Sequence, residues 1–206
     1  MASQVLLLTY VRGHAPGKRH QSAHTLWAYK MQPTPVRKCA DDLVAVVAAA
    51  TRLHARCIAA AYGPSTAITF IPSSRFPDRR HPVANLARHV HIVAGAERFA
   101  LGLGRGIDVP GRTVRSDRFV VPDQFMDRVQ GRHIMVVDDT WTSGAKVQSA
   151  AVTLHEAGAA RVTALVVGRW CDYTRSEHKT MLDSHTEAYD ALVCPVSGEA
   201  CTEAAV

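Results

Sequence analysis

Asp138 and Asp139 stand side by side at the end of an unbroken apolar run, residues 134–137, and directly before Thr140, Trp141, Thr142, Ser143, Gly144 and Ala145. Two adjacent carboxylates can accept hydrogen bonds or face a cation, and nothing else. The hydroxyl-rich segment leads into a helical pattern that starts near Ser143 and continues through Val147, Ala150, Ala151 and Leu154. Unpaired amides and the helix dipole favour an anion at such an N-terminus. A phosphate cup beside two acids suits a phosphorylated sugar, with the carboxylates on its hydroxyls. Such a site reads as built for a ribose 5-phosphate.

A second group lies upstream, where residues 67–71 (AITFI) run into Pro72, Ser73, Ser74 and Arg75. Small hydroxylated residues leave amides approachable, and an arginine adds a fixed cation, a combination fit for a diphosphate. Residues 97–121 carry Gly102, Gly104, Gly106 and Gly111 among Arg98, Arg105, Arg112, Arg115 and Arg118. With no sustained period, this stretch reads as a flexible basic loop with a hairpin at 112–121.

The elements that must position these groups follow from pattern. Short apolar runs at 67–71, 133–137 and 161–168 read as strands buried on both faces, which is the habit of a parallel sheet. They alternate with helical patterns at 39–62, 82–94 and 145–157, closed by Gly63 and Gly158 where the first and last end. Residues 5–11 form a further strand, 12–24 a polar mobile segment, 25–31 a short aromatic segment ended by Pro33 and Pro35, and 189–196 an edge strand. The fold class is α/β: a twisted, mostly parallel sheet flanked by helices.

A chain of 206 residues, 47% hydrophobic, suits one domain with a sizeable core. No apolar run reaches the roughly 20 residues of a membrane span, and the amino terminus lacks the basic region of a signal peptide, so the expected compartment is the cytoplasm. Five cysteines, an odd number without a CxxC pair, argue against a disulfide scaffold. Cys171, His178, His185, Cys194 and Cys201 could supply zinc ligands, yet their spacings match no compact zinc module. The formal charge of +6 fits nucleic acid or a phosphorylated small molecule. The arginines fall in a glycine-punctuated stretch rather than on one face of a helix, which argues for the small molecule.

VVDDTWTSG, at residues 136–144, resembles the phosphoribosyl pyrophosphate (PRPP) motif of type I phosphoribosyltransferases. Residues 132–170, with the succession GRHIMVVDDTWTSGA and AGAARVTALVVGR, are similar to the ComF family in particular; the four-cysteine, zinc-finger-like segment that precedes many ComF proteins is missing. The resemblance implies a core at 39–170, a hood or dimer-contact arm at 1–38 and a C-terminal extension at 171–206. It implies PRPP and Mg²⁺ as ligands and Asp138 and Asp139 as catalytic residues. The ribose 5-phosphate would lie on Asp138, Asp139 and Thr140 through Ala145, and the pyrophosphate on Ser73, Ser74, Arg75, Arg112 and Arg115. The acceptor, a nucleobase or related heterocycle, would meet Trp27, Tyr29 and Lys30 from the hood and Arg169 and Trp170 from the strand after the motif. Enzymes acting on 6-oxopurines carry aspartate where this chain has Thr142, which disfavours hypoxanthine and guanine. The competing reading is a PRPP-sensing regulator or a ComF-like nucleic-acid-associated protein.

Overall fold

The computed structural model describes residues 1–76, 81–91, 95–109 and 112–201. Along them run β1 (Gln4–Gly13), α1 (Gln21–Ala28), α2 (Arg37–Leu53), α3 (Ala55–Tyr62), β2 (Ala67–Phe70), α4 (Pro82–Arg88), β3 (Glu97–Arg98), β4 (Gly102–Leu103), β5 (Phe119–Val120), β6 (His133–Trp141), α5 (Ala145–Glu156), β7 (Arg161–Asp172) and α6 (Ser176–Ser184). Five strands form one sheet in the order β1-β7-β6-β2-β3, and every pair in it is parallel. β4 and β5 pair with each other outside this sheet and are antiparallel. The mostly parallel α/β architecture expected from the sequence is the one formed.

Strand alternation builds two cores. Met135 and Val137 of β6 and Leu165 and Val167 of β7 face one side, against Leu26, Leu43, Val47, Ile58 and Leu86 from α1 through α4. Ile134, Val136, Val162, Ala164 and Val166 face the other, against Val147, Ala150, Ala151 and Leu154 of α5. Successive side chains on a strand point to opposite faces, so an unbroken apolar run is the signature of a sheet covered on both sides.

Several boundaries differ from the sequence pattern. The expected helix at 39–62 is two helices meeting at His54 and bent by 67°. No single helix among the described residues is long and apolar enough to cross a membrane. The helix expected over 82–94 stops at Arg88, because the Arg98 guanidinium takes the Val90 carbonyl at 2.9 Å and Thr51 Oγ1 takes the His91 amide at 3.0 Å; residues 92–94 lie outside the described residues. The expected hairpin at 112–121 is instead a 3-10 turn, Ser116–Arg118, followed by β5, which pairs with β4. Gly111, in the same expected loop, also lies outside the described residues. The edge strand at 189–196 reduces to one bridge, Val193 to Ala200, because Pro195 and Gly198 turn the chain there.

The amino-terminal arm is only partly separate from the core. Its first strand, β1, pairs with β7 along nearly its whole length, from Gln4 opposite Thr163 to Gly13 opposite Asp172. Residues 14–36, with α1, are what project over the carboxyl edge of the sheet.

Candidate functional site

Unequal strand lengths open the site. β2 ends at Phe70, opposite Val137, and the Ile71 amide makes one last bond to the Val137 carbonyl at 3.0 Å. β6 continues for four more residues, paired on its other side with β7 through Trp141 opposite Arg169. Among the described residues, the β2 side of β6 beyond Val137 is therefore bare of a strand neighbour, and a cleft of about 900 Å³ occupies that place. In open α/β sheets ligands bind outside the carboxyl ends of the strands.

The sequence placed the acids just past their strand; they lie inside it, and the pleat turns them to opposite faces. Asp139 follows Val137 toward the helices of the first core, where α1 and the residues after it stand. Its Oδ2 accepts from Lys30 Nζ at 2.7 Å and from the Tyr29 hydroxyl. Asp138 points the other way and is 8% exposed. Burial, together with the neighbouring Asp139 charge, raises its carboxyl to about 8, against a smaller opposing pull from the Asp139 amide, Lys30 and Lys146. Burial and the charge of Asp139 likewise raise the Tyr29 phenol well above its ordinary value. Tyr29 is thus a neutral donor at any physiological pH.

Thr140 and Thr142 line the cleft. Gly144 has φ of +75° and caps α5 under the Trp141 ring, which a β-carbon at 144 would strike. Trp141 packs against the second core and does not line the cleft, and neither do Ser143, Gly144 and Ala145. The Ser143 hydroxyl turns back on the Ala145 amide at 3.4 Å.

Pro72, Ser73, Ser74 and Arg75 line the same cleft as the acid pair. Their turn is closed by the Phe76 amide on the Ser73 carbonyl at 3.0 Å. Ser74 donates its hydroxyl to Asp108 at 3.0 Å, so it is committed across the cleft rather than free for an anion.

Of the five loop arginines, Arg112 alone lines the cleft. Arg115, expected beside the pyrophosphate, is held by Asp117 through two bonds of 2.9 and 2.7 Å. Arg118 is buried and reaches the Val109 carbonyl, and Arg98 caps the end of α4. Three of the arginines read as part of a basic loop, Arg98, Arg115 and Arg118, are thereby spent on holding the loop or the end of α4.

The expected acceptor residues divide. Trp27 and Trp170 line the cleft, Trp27 with the Arg19 guanidinium 4.3 Å from its ring. Tyr29 and Lys30 line it too; Tyr29 is 3% exposed, and both are engaged on Asp139. Arg169 lies next to Trp170 on β7, hence on the opposite face, and does not line the cleft.

Lys146, Asp108, Arg19, His81 and Arg175 line the cleft without having been singled out in the sequence, and so does His178, considered there only as a zinc ligand. Lys146 had a signal, a cation in the first turn after the hydroxyl-rich loop. Arg175 and His178 had none, since only the β1–β7 pairing and the return of α6 bring the C-terminal segment to this edge. The residues weighed as zinc ligands in the sequence also part company. His178 Nδ1 accepts the Asp172 amide at 3.0 Å, His185 bonds to Met181 and Ser184, and Cys171 is buried within β7.

No family model matches the sequence, and no curated protein matches it. Among solved structures, the chain is similar to the allosteric regulatory enzyme of purine biosynthesis at 19% identity and a TM-score of 0.34, over 59% of this chain; it spans about a quarter, 26%, of that enzyme's length. It is similar to a phosphoribosyltransferase from Corynebacterium diphtheriae at 20% identity and a TM-score of 0.30, over 64% of this chain and 92% of the other.

Proposed function

We propose that the protein binds PRPP with Mg²⁺ and transfers its ribose 5-phosphate to a nitrogenous acceptor, a nucleobase or related heterocycle, releasing pyrophosphate. The observation that carries this reading is the meeting of Asp138 and Asp139 with the Pro72 to Arg75 turn in one cleft at the carboxyl ends of adjacent strands. Acids for sugar hydroxyls, a hydroxyl-bearing loop before α5 for the 5-phosphate and Arg75 with Arg112 for the diphosphate lie around a single cavity.

The donor set fits the metal that accompanies such a substrate: Asp138, Asp139 and Asp108 line the cleft and would offer it hard oxygen ligands. Mg²⁺, when bound, neutralises charge that grows on the leaving pyrophosphate. The chain's own residues do the remaining work. Asp138 surrenders its proton as the ligand arrives and accepts the ribose hydroxyls. Asp139, oriented by Lys30 and Tyr29, presents its other oxygen beside it. Lys146, Arg75 and Arg112 offset phosphate charge, and α1 with Trp27 and Trp170 holds the acceptor while excluding water from a transition state resembling an oxocarbenium ion. No covalent nucleophile is required.

The test is incubation with PRPP, Mg²⁺ and a panel of purines, pyrimidines, deazapurines and simple amines, followed by pyrophosphate release and mass spectrometry of new ribotides. A heterocycle-dependent ribotide is expected. PRPP binding that is indistinguishable in wild type and in Asp138→Asn/Asp139→Asn would overturn the assignment.

A further inference from the structure

His54, Cys57, Cys194 and Cys201 form a cluster that none of the chemistry above uses. One nitrogen or sulfur from each lies within 4.8 Å of every other. His54 Nδ1 is 3.1 Å from Cys201 Sγ, which is 3.4 Å from Cys57 Sγ. None of the four lines the substrate cleft.

Their positions come from two local structures. His54 and Cys57 are three residues apart at the α2–α3 bend, so both project to the same side of one helical turn. Cys194 and Cys201 end a tight loop, CPVSGEAC, closed by the Cys194 amide on the Glu199 carbonyl and the Gly198 amide on the Cys194 carbonyl, both 2.8 Å. The Val193 to Ala200 bridge aligns the two ends.

We propose that these four side chains are a structural zinc site that staples the C-terminal segment to the α2–α3 bend. Tetrahedral zinc with bonds of about 2.3 Å to sulfur and 2.0 Å to nitrogen separates its ligands by about 3.5 to 3.8 Å. The His54–Cys201 and Cys57–Cys201 distances, 3.1 and 3.4 Å, lie a few tenths of an ångström below that, and the sulfurs are far from the roughly 2.05 Å of a disulfide. Three thiolates and one imidazole are a closed, soft donor set, the kind that selects zinc over oxygen-seeking cations.

The surroundings are those of a ligand shell. His54 is 2% exposed, and its Nε2 meets the Ala191 carbonyl at 2.9 Å. That partner can only accept, so Nε2 carries the proton and the Nδ1 lone pair faces the sulfurs, as the outer ring nitrogen of a metal-bound histidine does. The Ser197 and Val196 amides donate to the Cys194 sulfur. Binding releases the three thiol protons to solvent and leaves a site of net charge −1, which those amides help to offset. The 67° bend at His54 then has a reason, since it aims the imidazole and Cys57 at the returning chain.

The experiment uses the full chain purified under reducing conditions. Elemental analysis should give about one zinc per chain, and cobalt exchanged for zinc should show thiolate charge transfer with the intense bands of a tetrahedral ion. Cys57→Ser and Cys201→Ser should each lose that spectrum and most of the bound metal, whereas Cys171→Ala keeps both. Should a variant fail to fold, the wild type still answers. A chelator strong enough to strip zinc should release it, lower Tm and expose residues 185–201 to protease, and added zinc should reverse all three. Reduced wild type that takes up neither metal, a cobalt spectrum of octahedral oxygen ligands, or a mass two hydrogens short that maps to a Cys57–Cys201 disulfide would overturn the site. Substrate turnover enters none of these readouts, so the outcome is independent of the function proposed above.

Discussion

Lys30 Nζ lies 2.7 Å from Asp139 Oδ2 and ties the amino-terminal arm to the central strand inside the cleft. The carboxylate is 7% exposed and the ammonium 36%, so the pair is half inside the protein. Lys30→Met should lower stability by about 1–2 kcal/mol, less than a fully buried pair would cost, because water still reaches the ammonium. Urea denaturation of a Lys30→Met and Asp139→Asn double-mutant cycle measures the coupling; strict additivity would mean that the contact contributes nothing.

Asp138 links substrate binding to pH. An acid whose folded-state pKa is raised keeps a proton that the unfolded chain has already lost, so ionising it costs stability as pH climbs from the ordinary carboxylate range toward about 8. On the proposed function, PRPP and its cation would need the ionised form. Affinity for Mg²⁺-PRPP should therefore rise with pH up to about 8 and then level off, with a proton released on binding below that point. Calorimetry in buffers of different ionisation enthalpy reads the proton directly. Asp138→Asn should bind weakly with a flat pH profile on this account, and should be the more heat-stable protein at the alkaline end.

Arg112 and Arg115 should part sharply under mutation. Arg112→Ala removes a cation that lines the cleft and should weaken PRPP binding about tenfold, the scale of one charge-assisted contact. Arg115→Ala frees Asp117 on the surface and should leave affinity within about twofold. Equal losses in the two variants would place Arg115 in the site after all.

Gly144→Ala tests the phosphate loop. The left-handed backbone there costs a β-carbon about 1 kcal/mol, and the collision with the Trp141 ring adds to it. Lower Tm and weakened PRPP binding are expected together. In Gly144→Ala/Trp141→Ala the collision goes while the backbone cost stays, so the pair should be less damaging than the sum of its single changes.

Trp27→Ala and Arg169→Ala separate the two sides of the acceptor question. Trp27 faces the cleft at 45% exposure, and its loss should reduce turnover of a heterocycle while sparing PRPP binding. Arg169→Ala should leave both unchanged, as measured by product formation and by calorimetry.

The sequence by itself determined the strand, the acid pair and the hydroxyl loop of residues 134–145, because these are neighbours along the chain and their chemistry follows from order alone. It also determined the parallel α/β class, since apolar runs alternating with helical periods have few other ways to be buried on both faces. Element ends were less legible. The α2–α3 bend, the stop at Arg88 and the turn at Pro195 are each imposed by a distant partner or by a break in local bonding, none of which has a period. Only the tertiary structure decided what each charge faces. Strand pleating sent Asp138 and Asp139 to opposite sides, so that one meets burial and the other meets Lys30 and Tyr29, two residues that read in sequence as part of an acceptor pocket. The pairing of β1 with β7 carried Arg175 and His178 to the cleft, and the loop's own folding bound Arg115 to Asp117. His54 and Cys57 are 140 residues or so from Cys194 and Cys201 along the chain, and no local pattern joins them. Spacing along a sequence specifies partners within a turn or a strand; partners across the fold are chosen by packing, which brings side chains together through space regardless of their separation in the chain.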